Sequence, residues 1–225
     1  MAKLILVPVP IGNKQDITNR AIECLKEADI IYCEDTRNTH KLLEMYGISG
    51  KKLFAYHQNN EHQLTPHAIQ HIKNINTAVL VTDAGTPAIS DPGYLLVRAC
   101  IENQIIVEAL PGACAFVPAI AASGLPCDRF YFEGFLPLKK GRQKQLEWIS
   151  TLPITSVIYE APHRLLKLLD ELEQFCGGDR KICVCRELSK LHEEYIRGTI
   201  SEVKQDLSNR ESIKGEIVVV IAGNK

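Results

Sequence analysis

The stretch Thr82-Asp83-Ala84-Gly85-Thr86-Pro87-Ala88-Ile89-Ser90-Asp91-Pro92-Gly93 decides how this chain reads. It follows the apolar run Ala78–Val81, which reads as a buried strand, and precedes Tyr94–Cys100, which reads as a helix. A long loop at the carboxyl end of a strand is where an open α/β sheet binds its ligand. Gly85 and Gly93 permit tight backbone paths, while Pro87 and Pro92 fix φ and remove N–H donors. Asp83, Thr86, Ser90 and Asp91 supply short polar groups that can meet a small molecule. A purely structural crossover loop is the other reading of the same residues.

Outward from this loop, the first half repeats strand, loop and helix. Leu4–Val7 reads as a first strand, and Asp16 as the cap of a helix running to about Ala28. Strands follow at Asp29–Cys33, Leu53–Tyr56 and Ile105–Glu108, with helices at Thr36–Tyr46 and Glu61–Lys73. A helix of small residues, Ala113–Ala122, follows Pro111-Gly112. Such alternation implies a mostly parallel sheet with helices on its faces. Beyond Ser123–Pro126 there are fewer helices per strand, which points to a mixed sheet. The fold class is therefore α/β in two domains, residues 1–123 and 124–225.

Composition fits a globular enzyme. The 225 residues are 45% hydrophobic and 24% charged, enough apolar material for a real core. A net charge of −1 confines any nucleic-acid surface to a local patch. No apolar run approaches the roughly 20 residues a membrane helix needs. The first residues lack a signal-peptide core and read as a strand, so a cytoplasmic location with reduced thiols is expected for the eight cysteines. Cys183-Val-Cys185 lacks the spacing of a zinc pair, and the seven histidines show no zinc motif, so no metal is expected. His62, His67 and His71 read as a solvated helix face.

Neither G-x-G-x-x-G nor G-x-x-x-x-G-K-[ST] occurs, which weighs against dinucleotide and P-loop enzymes. Instead, polar loops follow apolar strands at Pro8–Asn13, Cys33–Arg37, Thr82–Gly93, Tyr159–Arg164 and Arg186–Glu193. Five such loops read as one cleft.

The loops VPIGN (9–13), CEDTR (33–37), TDAGTPAISDPG (82–93), ASGLPCDRFYFEGFLP (122–137), YEAPHR (159–164), RELSKLHEE (186–194) and KGEIVVVI (214–221) occur in that order. The set resembles the bacterial 16S ribosomal RNA (cytidine-2′-O)-methyltransferases of the tetrapyrrole-methylase, or class III, S-adenosylmethionine-dependent superfamily. The resemblance covers nearly the whole chain. It implies two α/β domains with a cofactor cleft between them, S-adenosylmethionine as cofactor, ribosomal RNA as partner, and a homodimer. There are departures. Pro111-Gly-Ala-Cys-Ala115 stands where the family often has P-G-P-S-A, so Cys114 replaces a hydroxyl. Relatives often continue past the last strand, and RNA contacts made by such an extension are expected to be absent or supplied elsewhere.

The resemblance implies that Pro10, Ile11, Gly12, Asp83, Ala84, Gly85, Ile89, Ser90, Cys114, Ala115, Tyr159, Glu160, Ala161, Glu187, Leu188, Lys214, Gly215 and Glu216 surround the cofactor. Methyl transfer from a sulfonium is an in-line displacement that needs alignment and a proton acceptor beside the hydroxyl. Asp35 or Glu34 is nominated as acceptor, with Arg37 orienting a phosphate; a helix cap with an ion pair explains the same residues. His163 is a second nominee, and Lys190 and His192 are weaker ones. Lys139, Lys140, Arg142 and Lys144, near Trp148, form the best RNA patch, with Arg164 as a further phosphate contact. A solvated helix face explains the same charges. A porphyrinoid methylase and a non-catalytic RNA-binding assembly factor remain as alternative functions.

Overall fold

The computed structural model describes residues 2–224. The chain divides into two units at Cys114/Ala115. In the first unit, β1 (Lys3–Leu6), β2 (Ile30–Cys33), β3 (Lys52–Ala55), β4 (Thr77–Leu80) and β5 (Ile106–Ala109) form a parallel sheet in the order β3-β2-β4-β1-β5. Alternate residues feed opposite faces, as the two-residue strand period requires. Leu4, Leu6, Ile30, Tyr32, Ala78 and Leu80 pack against α3 (Glu61–Lys73) and α4 (Tyr94–Glu102). Ile5, Val7, Ile31, Cys33, Val79 and Val81 pack against α1 (Asn19–Glu27) and α2 (Thr36–Met45). Strands buried on both faces read as continuous apolar runs, which is why the sequence showed them clearly.

The second unit holds β6 (Phe130–Phe135), β7 (Thr155–Glu160), β8 (Lys181–Arg186), β9 (Glu194–Thr199) and β10 (Ile217–Ile221), in the order β6-β7-β10-β8-β9. Only β6 and β7 run parallel, so this sheet is mixed, as expected. One face packs α6 (Arg142–Thr151), α7 (Leu165–Cys176) and α8 (Ile200–Ser208). The other face meets α5 (Phe116–Ser123), which packs on β8 and β10. Arg197 of β9 donates to the carbonyls of Ala122 (2.6 Å) and Ser123 (3.2 Å) at the end of that helix. The division therefore falls before α5, earlier than the expected 123/124. An all-apolar helix does not announce which sheet it will cover.

Two further details differ from expectation. Asp16 does not cap the first helix; it ends a 3₁₀ turn, Lys14–Asp16, and Thr18 caps α1 by accepting from the Ala21 N–H at 3.1 Å. His71 is half-buried, its ring 4.9 Å from Phe54 in an edge-to-face contact, whereas His62 and His67 are solvated.

Candidate functional site

In the first unit the chain leaves β1 across β4 to reach β2, and leaves β4 across β1 to reach β5. Connections that diverge from neighbouring parallel strands open a crevice at their carboxyl ends. The loops after β1 and β4 sit there and are tied together. Val9 N–H donates to Gly85 O at 2.9 Å and Gly85 N–H to Val9 O at 3.0 Å, while Thr86 Oγ1 donates to Ala113 O at 2.8 Å. Pro10, Ile11, Gly12, Asp83, Ala84, Gly85 and Cys114 thus lie on loops that brace one another. The 82–93 loop also holds Ala88 (φ 67°) and Ser90 (φ 61°) in the left-handed region, at a cost on the order of 1 kcal/mol each. Gly93 has φ 141°, and a Cβ there would lie 2.9 Å from Leu80 Cδ2. Strain gathered in one loop marks a shape the fold imposes.

Asp35 caps α2. Its Oδ1 accepts from Arg37 N–H at 2.8 Å, and its Oδ2 lies 2.6 Å from the Arg37 guanidinium. Hydrogen bonds from the Arg37 side chain hold the Asp35 carboxyl down at about 2, so it is a very weak base. The cap and the ion pair that the sequence offered for this residue are both present. Asp83 is tied to the same helix start, accepting from Asp35 N–H at 3.2 Å and Asn38 Nδ2 at 2.8 Å. Glu34 is half-buried, and burial followed by the charge of Asp83 raises its pKa.

Asp91, one of the short polar groups of the 82–93 loop, is the most perturbed acid at this edge. Burial, then the charges of Glu34 and Asp83, push its carboxyl up to about 7. Asp91, Glu34, Ser90, Gln58, His62 and Tyr94 are among the residues lining a cavity of about 450 Å³. The signal was present, an acid between Ser90 and Pro92 in the decisive loop, but its burial beside Glu34 depends on the neighbouring strand.

In the second unit, β10 runs antiparallel to β7 and β8, with Ile217 paired to both Glu160 and Arg186. This register brings the loops after β7 and β8 and the loop before β10 to one end of the sheet. Glu160 is 3% exposed; its carboxylate faces Arg164 at 2.8 Å and Arg142 at 3.3 Å, and accepts from Ala161 N–H at 2.9 Å. Arg142 is itself 5% exposed, bonding Glu171 at 2.8 Å and Pro137 O at 3.3 Å. The expectation of Arg142 as an RNA contact is thereby corrected, because its guanidinium is spent inside the unit. Arg164 is partly committed to Glu160 in the same way.

Glu187 and Ser189 take left-handed φ of 54° and 64°. Glu187 Oε1 accepts from Lys190 Nζ at 2.8 Å and Glu216 N–H at 2.9 Å, and the Lys190 bond lowers its pKa. A Cβ on Gly215 would collide with this carboxyl group. Leu188 is buried and Lys214 exposed. Tyr159 accepts from Phe116 N–H at 3.1 Å and packs edge-on against Phe132 and Phe135. His163 is exposed in the 3₁₀ turn Pro162–Arg164. Lys139, Lys140 and Lys144 are exposed, as is Trp148, whose ring stands 4.6 Å from Tyr131.

Among the described residues no group of three or more His, Cys, Asp or Glu is placed to hold a metal ion. The donors do fit a nucleoside-type cofactor. Each Asp83 oxygen makes one internal bond and keeps lone-pair capacity for a hydroxyl, and braced main chain surrounds it.

A crevice at a strand-order reversal, edged by strained polar loops, defines an open α/β protein with a small-ligand site. Residues 3–204 match the family model for tetrapyrrole (corrin/porphyrin) methylases. The chain is 46% identical over 220 residues to ribosomal RNA small subunit methyltransferase I of Hydrogenobaculum sp. (strain Y04AAS1), covering 98% of this chain and 95% of that one. The protein of the same name from Escherichia coli O157:H7 is 45% identical, covering 99% and 78%. Uroporphyrin-III C-methyl transferase from Thermus thermophilus, solved with S-adenosylhomocysteine, has the same fold at a TM-score of 0.67 and 20% identity, covering 97% and 96%. The chain belongs to the tetrapyrrole methylase family, on the branch of the ribosomal RNA small subunit methyltransferases I.

Proposed function

We propose that the chain transfers a methyl group from S-adenosylmethionine to the ribose 2′-hydroxyl of a cytidine in small-subunit ribosomal RNA. Similarity to relatives named for ribosomal RNA methylation supports the methyl transfer and the RNA. The observation that carries the hydroxyl is Asp91, a carboxyl with pKa about 7 on a cavity beside Glu34. A ribose hydroxyl needs a proton acceptor poised near the working pH, and a carboxyl at about 7 is such a group.

When bound, S-adenosylmethionine supplies a methyl carbon made electrophilic by its sulfonium. The chain's own residues position and accept. Asp83 accepts from ribose hydroxyls, and the main chain of Pro10–Gly12, Ala84–Gly85 and Ile89–Ser90 borders the ligand. From the second unit, main-chain groups at Tyr159–Ala161, Glu187–Leu188 and Lys214–Glu216 contribute, since the Glu160 and Glu187 carboxylates are already bonded. Asp91 takes the hydroxyl proton onto a carboxylate oxygen, and the negative charge of Glu34 beside it strengthens that base. Lys139, Lys140 and Lys144 hold RNA phosphates, and Trp148 offers a face for an unpaired base. The family resemblance supports a homodimer working in the cytoplasm.

The test is methyl transfer from labelled S-adenosylmethionine to ribosomal RNA and, in parallel, to uroporphyrinogen III. Label in RNA alone is expected, and label in the tetrapyrrole alone would refute the proposal.

A further inference from the structure

The outer side of α2 carries a second concavity, of about 590 Å³, that no assigned role explains. Arg37, His40, Lys41 and Lys51 line it with Thr36, Leu53 and a single acid, Glu44. The helix lays these groups in a stripe. Arg37 and Lys41 are one turn apart, as are His40 and Glu44, whose side chains approach to 3.4 Å. Lys51 reaches in from just before β3, where its ammonium donates to Ala28 O at 2.9 Å and also to Lys26 O. That anchorage fixes the position of its charge. Lys41 has no ion-pair partner among the described residues, and Arg37 is 84% exposed while paired with Asp35. The stripe begins at Thr36, two residues beyond Glu34 at the end of β2, and α2 extends about 15 Å from there.

A concave row of cations that starts at the carboxyl edge of the sheet, two residues past Glu34, fits a polyanion laid against that edge while one of its sugars reaches the acidic cavity. We propose that this groove binds the phosphodiester backbone of the RNA next to the target nucleotide. The inference rests on the functional reading above and adds a second RNA surface, on the first unit, to the lysines of the second. Lys and Arg make sequence-independent phosphate contacts there, and each phosphate neutralised on a single strand contributes about 0.7 to the salt slope of binding.

The test compares wild type with Lys41→Ala and Lys41→Glu, using a fluorescein-labelled single-stranded RNA oligonucleotide across a salt series and methyl transfer to ribosomal RNA. Lys41→Ala is expected to weaken RNA binding several-fold at low salt and to flatten the plot of log K against log salt by about 0.7. Lys41→Glu should weaken it further. KM for RNA should rise while kcat and the S-adenosylmethionine affinity stay at wild-type values, a split that a folding defect would not give. Wild-type binding with an unchanged constant and slope in both variants overturns the groove alone. Competition by polyglutamate as effective as by RNA also overturns it, by marking a surface for acidic protein. A wild-type protein that neither binds nor methylates RNA overturns the functional reading and the groove with it.

Discussion

Asp91→Asn should make the protein more stable and less active at once. The Asp91 carboxyl is raised from 3.8 to about 7 by burial and by the charges of Glu34 and Asp83. Three pKa steps at about 1.36 kcal/mol each give roughly 4 kcal/mol for ionising it in the fold, and partial exposure reduces this to about 2 kcal/mol. Below about 4 the group is protonated in both folded and unfolded chains and costs nothing. Between about 4 and 7 the unfolded chain releases its proton while the folded one keeps it, so stability falls as pH rises. Above about 7 the full penalty applies. Asn cannot ionise, so the variant should match wild type near pH 4 and exceed it by about 2 kcal/mol near pH 8. Single-turnover methyl transfer should fall about 100-fold or more. In wild type the transfer rate should climb with an apparent pKa near the 7 of Asp91. Urea unfolding across that pH range, paired with single-turnover assays at saturating S-adenosylmethionine, reads both effects. A pH-independent stability difference would refute the burial argument, and wild-type turnover in Asp91→Asn would remove Asp91 as the proton acceptor.

Asp35→Asn should keep the cap on Arg37 N–H, melt near wild type and retain methyl transfer, because a carboxyl held at about 2 is not the base; loss of single-turnover activity would return the role to Asp35. Arg142→Met should cost about 3 kcal/mol in denaturant unfolding by leaving the 3%-exposed Glu160 short of a partner, and adding Glu160→Gln should recover part of it. Gly93→Ala should lower stability by about 1–3 kcal/mol, since its Cβ meets Leu80 Cδ2 at 2.9 Å with φ at 141°, and a thermal melt reads the change. Lys139→Ala with Lys140→Ala should raise KM for RNA with little effect on cofactor affinity, an effect that fades as salt rises.

The sequence carried the layer plan because the central strands β1, β2 and β4 are buried on both faces. α3 falls at the bounds expected, Glu61–Lys73. What it could not carry depends on contacts between distant segments. The run Lys139–Lys144 looks uniformly basic, yet Arg142 turns inward because Glu160 and Glu171 from two other elements await it. Asp35 reads as either a cap or a base, and the fold adds its bonds to the Arg37 N–H and guanidinium. Asp91 was visible as a polar residue in the right loop, but its proton affinity arises from burial and then from the charges of Glu34 and Asp83, which only the fold brings together. The helix at Phe116–Ser123 was recognisable as a helix, while the sheet it covers was set by β8 and β10.

The atom that receives the methyl group separates a ribose methyltransferase from a base methyltransferase. Purified protein, S-adenosylmethionine and small-subunit ribosomal RNA, offered both as naked RNA and within the subunit, should be incubated and the RNA digested to nucleosides for mass spectrometry. One methyl group on the ribose of a cytidine is expected, with the base mass unchanged and the yield lost in Asp91→Asn. A methyl group on the base, or no transfer to either form of the RNA by protein that binds S-adenosylmethionine, would contradict it.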